Sequence, residues 1–225
     1  MANYLYLHVG FPKTGTNFMR EEVLPHFPST TFLSKPNAGV FRSDRPWVGT
    51  LEQAFNRSPF VWDDLGIEIF ESLFGSVDSY SPRTSNTVIS EEGVCFSQDP
   101  IFLREHLTRF KALVEQWKFD GLRILVSSRF QGTLFASRYA QQSRLKERAS
   151  QQDFEEHVRI ILDAKGPHYG NNYHSHGVTR NYALIWEAIN EVVGTENVLA
   201  LPYEMLKQDN QRFIRRWIRF LDIDE

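Results

Sequence analysis

A loop rich in glycine, threonine and lysine follows the first apolar segment of this chain. The segment Tyr4–Val9 is strand-like, residues 10–17 read Gly-Phe-Pro-Lys-Thr-Gly-Thr-Asn, and a helix-like stretch begins at Phe18. A strand that leads through such a loop into a helix brings backbone N–H groups, the positive end of the helix dipole and a lysine ammonium around one anion. The sequence therefore predicts a loop that binds phosphate.

The order of residues within this loop distinguishes it from the nucleoside-triphosphate loop. That loop reads Gly-x-x-x-x-Gly-Lys-Ser/Thr, with the lysine directly after the second glycine. In this chain Lys13 precedes Gly15. We interpret the loop as a P-loop-like phosphate site that does not obviously suit ATP.

Two later segments also carry candidate ligands. The strand-like run Leu122–Ser127 is soon followed by Arg129, and Ser137 comes eight positions after that arginine. Nearer the C-terminus, residues 197–206 join a strand-like run to a Tyr-Glu-x-Leu turn, and residues 213–221 look helical. An arginine that closes an apolar strand needs a partner, and its planar fork suits a phosphate dianion. An ion pair with an acidic residue is the alternative role for Arg129.

Taken in order, the three segments resemble the sulfotransferases that use 3′-phosphoadenosine 5′-phosphosulfate (PAPS). The Pro-Lys-Thr-Gly-Thr string is similar to that family's 5′-phosphosulfate loop. The resemblance extends over most of the chain. It implies an enzyme that transfers a sulfuryl group from PAPS to a hydroxyl or amine of a small-molecule or carbohydrate acceptor, without a metal.

The resemblance also assigns the cofactor to particular residues. Those around the 5′-phosphosulfate belong to the loop and are Pro12, Lys13, Thr14, Gly15, Thr16 and Asn17. Arg129 and Ser137 would hold the 3′-phosphate. Phe18 would pack on the adenine, although a core position under the first helix is an equal alternative. The loop's threonine hydroxyls also have an alternative role, because they can cap the helix.

Sulfuryl transfer requires stabilisation of the charge on the departing phosphate and removal of the acceptor's proton. Lys13 suits the first task. Negative charge develops on the oxygen that bridges the phosphate and the sulfuryl group, and the lysine ammonium can stabilise it there. For the second task, a strand-like run ends at Glu91 and Glu92, where the resemblance implies a glutamate base. Glu91 is the first choice of general base, being closer to the strand end. The alternative role for Lys13 is phosphate binding alone. The alternative for Glu91 and Glu92 is a solvated pair at the surface.

The chain departs from the vertebrate cytosolic pattern of the family in three respects. The loop reads Thr-Gly-Thr-Asn-Phe in place of Ser-Gly-Thr-Thr-Trp, no histidine stands at the base position, and no Arg-Lys-Gly motif occurs near the end. Either a C-terminal segment is missing after Glu225 or fewer groups hold the 3′-phosphate. Arg138, Arg144 and Lys146 could compensate from the helix that contains Ser137.

Short apolar runs alternate with longer amphipathic segments, which predicts an α/β fold. Strands are expected at Tyr4–Val9, Thr30–Leu33, Asn86–Ser90, Leu122–Ser127 and Val198–Leu201. Helical periodicity is strongest at Ile101–Trp117, Asp153–Leu162, Arg180–Val193 and Gln211–Leu221. We predict a single domain over residues 1–225, with a mostly parallel central sheet flanked by helices. The candidate site residues would then lie at the carboxyl ends of strands, where such sheets bind ligands.

Composition narrows the classes of protein. At 225 residues and 41% hydrophobic content the chain can bury one core, and a net charge of −3 gives no basic surface for nucleic acid or an anionic membrane. The single Cys95 excludes an internal disulfide and fits a reducing compartment. No apolar stretch approaches the length of about 18 residues typical of a membrane span. We expect a cytoplasmic enzyme with neither nucleic acid nor membrane as a partner.

The segment Ala164–Val178 is rich in turn formers and contains His168, His174 and His176. A zinc site is one interpretation, and a mobile loop over the acceptor pocket is the other. The second is favoured, because no cysteine or carboxylate in the segment completes a familiar zinc spacing. Aromatic residues expected to line the acceptor pocket are Phe41, Trp47, Phe96, Tyr169 and Tyr173.

Two other functions stay open. A small-molecule kinase that uses ATP and Mg²⁺ would need a hydroxyl after the loop lysine, which Thr14 provides, and an aspartate at a strand end. The strand ends carry Glu91 and Arg129 instead. A non-catalytic nucleotide-binding module is the second alternative, and the joint presence of Lys13, Glu91 and Arg129 speaks against it.

Overall fold

The computed structural model describes residues 3–11, 13–27, 30–34, 51, 53–78, 86–91, 94, 99–163 and 181–222. Its centre is a five-stranded sheet in the order β2-β3-β1-β4-β5. The strands are β1 (Tyr4–Gly10), β2 (Thr31–Ser34), β3 (Thr87–Ser90), β4 (Gly121–Ser128) and β5 (Val198–Pro202). Every neighbouring pair runs parallel. The predicted α/β fold with a parallel sheet is confirmed.

Helices connect these strands. The first helical segment is α1 (Thr16–Phe18), which continues as a π-helical turn at Met19–Val23 and a 3-10 turn at Leu24–His26. Further helices are α2 (Val61–Phe74), α3 (Pro100–Gln116), α4 (Gln131–Ser143), α5 (Gln151–Asp163), α6 (Tyr182–Val193), α7 (Tyr203–Gln208) and α8 (Asn210–Phe220). None of the helices in the described part of the chain is long and apolar enough to cross a membrane.

The side chains of a strand alternate between the two faces of the sheet, and both faces are buried. On one face Leu5, Leu7 and Val9 of β1 belong to a core shared with α2, α3 and α6. On the other face Tyr6 belongs to a second core, which includes Trp217 of α8. The central strand is therefore apolar throughout, with one exception at His8.

The strand order places the carboxyl end of β1 between those of β3 and β4. In the register, His8 of β1 lies opposite Ser90 of β3, and Gly10 lies opposite Ser127 of β4. The loop after Gly10 therefore starts between two strand ends. Parallel sheets bind ligands at such a point, where neighbouring connections leave in opposite directions.

Candidate active site

Two glycines determine the course of the loop after β1. A Cβ at Gly10 would lie 3.1 Å from Thr14 Oγ1 and 3.2 Å from Ser127 Cβ, which is too close for an ordinary contact. Gly15 has a left-handed φ of 83°, and a Cβ there would lie 2.6 Å from Leu206 Cδ2. The left-handed conformation favours glycine here, and the Leu206 side chain would have to shift to admit a Cβ.

The side chain of Thr14 stabilises the loop from inside. It is fully buried, and its hydroxyl donates a hydrogen bond of 2.6 Å to the carbonyl oxygen of Phe11. The backbone N–H of Phe11 in turn donates to the carbonyl oxygen of Ser127 at 3.1 Å. The Thr14 hydroxyl proton is thus engaged within the loop, and its backbone N–H is the donor that remains for an anion. The loop is anchored to β4.

Lys13 lies at the outer turn of this loop. Its side chain is exposed, and its φ of 68° is left-handed, which is uncommon for a residue with a Cβ. The carbonyl oxygen of Lys13 accepts a hydrogen bond of 3.0 Å from Nη1 of Arg129. Arg129, which directly follows β4, is therefore in direct contact with the backbone of the loop lysine.

Arg129 is held by three elements around it. Its Nε donates to Thr133 Oγ1 of α4 at 3.1 Å, and its Cζ lies 5.0 Å from the ring centroid of Tyr203 in α7. The Tyr182 hydroxyl of α6 donates to the Arg129 carbonyl oxygen at 2.7 Å. Among the described residues no carboxylate forms an ion pair with Arg129. The ion-pair alternative for this arginine therefore receives no support from the described part of the chain.

The Tyr-Glu-x-Leu turn predicted at residues 203–206 forms the start of α7 and packs against the loop. Leu206 and Tyr203 are the side chains that a Cβ at Gly15 would meet. Glu204 accepts a hydrogen bond of 3.1 Å from the backbone N–H of Phe130, next to Arg129. The sequence indicated the Tyr-Glu-x-Leu motif, but no role for its side chains could be predicted from it. The structure shows that they shape both the loop and the surroundings of Arg129.

Glu91 directly follows β3 at the same edge of the sheet. Its side chain is buried, with an exposed fraction of 2%, and its backbone N–H donates to the His8 carbonyl oxygen at 2.9 Å. Glu92 lies outside the described residues, as do Pro12 and the segment with His168, His174 and His176. The aromatic residues expected to line the acceptor pocket also lie outside them.

The remaining predicted cofactor ligands occupy different surroundings. Ser137 lies half-buried on α4. Asn17 accepts a hydrogen bond through Oδ1 from Arg20, and Phe18 packs against the core that contains Trp217. The core position anticipated as the alternative for Phe18 thus has direct support.

The three cationic residues proposed to compensate for the absent motif also differ from one another. Arg138 is buried, Arg144 is exposed, and Lys146 forms an ion pair of 2.7 Å with Asp153. Lys146 is therefore already neutralised by a carboxylate of α5.

Buried His8 lies directly beneath the loop, and no motif in the sequence points to it. Its Nδ1 is 2.9 Å from Ser90 Oγ and its Nε2 is 3.1 Å from Ser127 Oγ. Its ring meets the Trp217 ring edge-on, with 4.5 Å between the centroids. Burial, and secondarily the charge of Arg20, lowers the pKa of His8 to about 3. The imidazole is therefore neutral at physiological pH.

Two cavities adjoin these residues. One of about 340 Å³ surrounds Arg129 and is lined by Ser128, Phe130, Gln131, Tyr182, Pro202 and Glu204. A second, apolar one of about 260 Å³ lies between the sheet and α6, where Phe11, Val126 and Trp186 contribute to its wall. Within the described ranges no three histidine, cysteine or carboxylate side chains cluster as metal ligands.

Comparison with known proteins places this arrangement in a family. Residues 6–225 match the family profile described as a sulfotransferase domain. A search among curated proteins found no match. The crystal structure of a sulfotransferase from Alicyclobacillus acidocaldarius is similar with a TM-score of 0.61 and 18% identity, covering 100% of this chain and 83% of that one.

A second solved structure is similar over a smaller part of its length. Mouse sulfotransferase SULT7A1 complexed with PAP gives a TM-score of 0.52 at 17% identity and covers 99% of this chain. This chain spans 59% of the length of the mouse protein. At these identities the two structures show a shared fold. Because the family profile extends over nearly all of the sequence, the chain belongs to the sulfotransferase family.

Proposed function

We propose that this chain transfers the sulfuryl group of PAPS to a hydroxyl or amine of a small-molecule or glycan acceptor. The observation that carries the proposal is the contact between Arg129 and the loop at Lys13, with 3.0 Å between donor and acceptor. This contact supports the proposal, because it joins the two residues that we assign to the 5′ and 3′ ends of the nucleotide. Family membership supports sulfuryl transfer over the phosphoryl transfer of a kinase.

The donors around Arg129 fit a phosphate. Arg129 uses Nε and Nη1 for Thr133 and Lys13, and its Nη2 has no hydrogen bond to another described residue. The Nη2 N–H groups of the guanidinium and the adjoining cavity of about 340 Å³ are suited to binding an anion. In the proposal Arg129 and Ser137 hold the 3′-phosphate, and the backbone N–H groups of residues 14–17 hold the 5′ end.

The chemistry follows from charge and proton balance. PAPS supplies the sulfuryl group, whose bond to the bridging phosphate oxygen breaks as its bond to the acceptor oxygen or nitrogen forms. The Lys13 ammonium stabilises the negative charge that develops on the bridging oxygen. Glu91 accepts the acceptor's proton, as a general base next to the loop.

The absence of disulfide-forming cysteine pairs favours a cytoplasmic site for this reaction.

Ligand-dependent stabilisation tests the proposal. Thermal unfolding is measured with PAPS, with its product adenosine 3′,5′-bisphosphate (PAP), and with ATP and ADP, each with and without Mg²⁺. A ligand that binds the folded state raises the melting temperature by mass action. We expect PAP to stabilise the protein without Mg²⁺ and ATP to do so far less. Equal stabilisation by ATP that depends on Mg²⁺ would favour the kinase.

Transfer itself is tested with a panel of phenols, sugars and amines, by mass spectrometry of the sulfated product. Product formation in the presence of PAPS supports the enzyme. Tight PAP binding without transfer to any acceptor would favour the non-catalytic nucleotide-binding module.

A further inference from the structure

His8 links three strands at the edge where the candidate site lies. It belongs to β1, while its two ring nitrogens contact Ser90 at the end of β3 and Ser127 in β4. The strands β3 and β4 flank β1 and do not pair with each other. The imidazole therefore makes a polar side-chain connection from one flank of β1 to the other.

The imidazole that makes this connection is neutral, so its two ring nitrogens differ. One ring nitrogen carries a proton and donates, and the other accepts. A serine hydroxyl can do either, so both serines are satisfied in each tautomer. Protonation would remove the accepting nitrogen, and burial beside Arg20 opposes it by holding the pKa of His8 at about 3.

Each serine leads to a different part of the candidate site. Ser90 directly precedes Glu91, whose backbone N–H donates to the His8 carbonyl oxygen at 2.9 Å. Ser127 accepts the Phe11 N–H through its carbonyl oxygen at 3.1 Å and lies two positions before Arg129. One arm of the connection thus supports the proposed base, and the other supports the phosphate loop and Arg129.

We propose that His8 is a positioning residue for the transfer reaction, which sets Glu91 on one side of the phosphate loop and Arg129 on the other. The inference rests on the proposed function, since it takes its roles for Glu91 and Arg129 from there. His8 contacts no reacting atom. Its effect on the reaction passes through Ser90 and Ser127.

Removal of the hydroxyl oxygen from Ser90 or Ser127 tests the two contacts of His8 separately. Ser90→Ala is expected to lower kcat about tenfold and to leave the Kd for PAP within about twofold, because small displacements of a catalytic group reduce turnover steeply. Ser127→Ala is expected to raise the Kd for PAP about tenfold with a smaller effect on kcat at saturating PAPS. His8→Phe, which keeps a ring but no nitrogen, should show both effects. His8→Gln keeps one donor and one acceptor and should lie between His8→Phe and the wild type.

His106 provides a matched control in the other core. It is also fully buried, with Trp62 Nε1 donating to its Nδ1 at 2.8 Å and its Nε2 3.1 Å from the Arg57 carbonyl oxygen. His106→Phe should lower the melting temperature and leave the Kd for PAP and kcat unchanged. This variant separates a loss of stability from a loss of positioning.

Calorimetry with PAP and steady-state kinetics decide the outcome. The positioning role is overturned if Ser90→Ala and Ser127→Ala change Kd and kcat in parallel, or if they change only the melting temperature as His106→Phe does. A wild-type protein that neither binds PAP nor transfers a sulfuryl group overturns the proposed function and the positioning role together. An active wild type with unaffected variants overturns the positioning role alone.

Discussion

Nη1 of Arg129 donates a hydrogen bond of 3.0 Å to the carbonyl oxygen of Lys13, a residue 116 positions earlier in the chain. Lys13 has a left-handed φ of 68°. The contact therefore helps to hold a backbone conformation that a residue with a Cβ seldom adopts. It also makes the loop's geometry depend on the same side chain that we propose as a ligand of the 3′-phosphate.

Replacing Arg129 tests both of these roles. Arg129→Ala is expected to weaken PAP binding by about 1.5–3 kcal/mol, the range for a lost hydrogen bond to a charged group. Adenosine 5′-phosphosulfate lacks the 3′-phosphate, so its binding should weaken much less, through the loosened loop alone. Isothermal titration with each nucleotide measures the difference. Arg159→Ala, which removes an exposed charge paired with Glu156, is the control. Equal losses for both nucleotides would make Arg129 structural.

Gly15 is expected to be intolerant of a side chain. Gly15→Ala forces a φ of 83° on a residue with a Cβ and brings that Cβ to 2.6 Å from Leu206 Cδ2. The conformational strain alone costs about 1–2 kcal/mol of folding free energy, and the shift forced on Leu206 beside the loop should weaken PAP binding. Urea unfolding and calorimetry measure the two effects.

Gly75 is the control for this prediction. It also has a left-handed φ, of 84°, but a Cβ there would meet nothing within 4 Å. Gly75→Ala should therefore destabilise the fold while PAP affinity stays at the wild-type value. Unchanged PAP affinity in Gly15→Ala would show that the loop tolerates a shift of Leu206.

Glu91→Gln is expected to reduce turnover by about 10²–10⁴-fold, the usual range for loss of a general base. Its affinity for PAPS should stay close to that of the wild type, because the amide preserves the shape of the buried side chain but cannot accept the proton. Glu92→Gln is the comparison. If only Glu92→Gln is inactive, the neighbouring carboxylate is the base; if both variants are active, the base lies elsewhere, with His174 and His176 as the next candidates.

The stability of the protein should fall as the pH drops below about 6.5, the ordinary pKa of histidine. Burial is the main cause that lowers the pKa of His8 to about 3 and that of His106 to about 4. Between these values and about 6.5 the unfolded chain binds protons that the native state does not, so the free energy of unfolding rises with pH. Each histidine contributes at most about 1.4 kcal/mol per pH unit in this window.

The contribution of one histidine is isolated by comparison with its variant. Urea unfolding of the wild type and of His106→Phe is measured from pH 7.5 to 4.5, so that carboxylates shared by both proteins cancel in the difference. The variant should be less stable at pH 7.5, and its deficit should shrink toward pH 4.5. A deficit that is constant across this range would contradict the assigned protonation state of His106.

Local features allowed much of the fold to be predicted from the sequence. The strand-like runs Tyr4–Val9 and Val198–Leu201 match β1 and β5 to within one residue, because short apolar runs with turn signals report burial on both faces. The loop was recognisable because the order of its glycine, lysine and threonine residues is itself local. The helix α2 was not predicted, and it contains Gly66, an unfavourable helix residue. A Cβ at Gly66 would lie 2.7 Å from Leu113 Cδ1, so the close packing of α2 on α3 explains the glycine.

The sequence by itself determined which residues could bind phosphate, and the tertiary structure alone decided which of them meet. Strand order is a property of pairings between distant segments, and no local pattern states that β1 lies between β3 and β4. That order brings Arg129 to the carbonyl oxygen of Lys13 and places His8 between Ser90 and Ser127. A buried histidine in an apolar strand looks like a single exception in the sequence, because its two partners are supplied by strands that only the folded sheet makes neighbours.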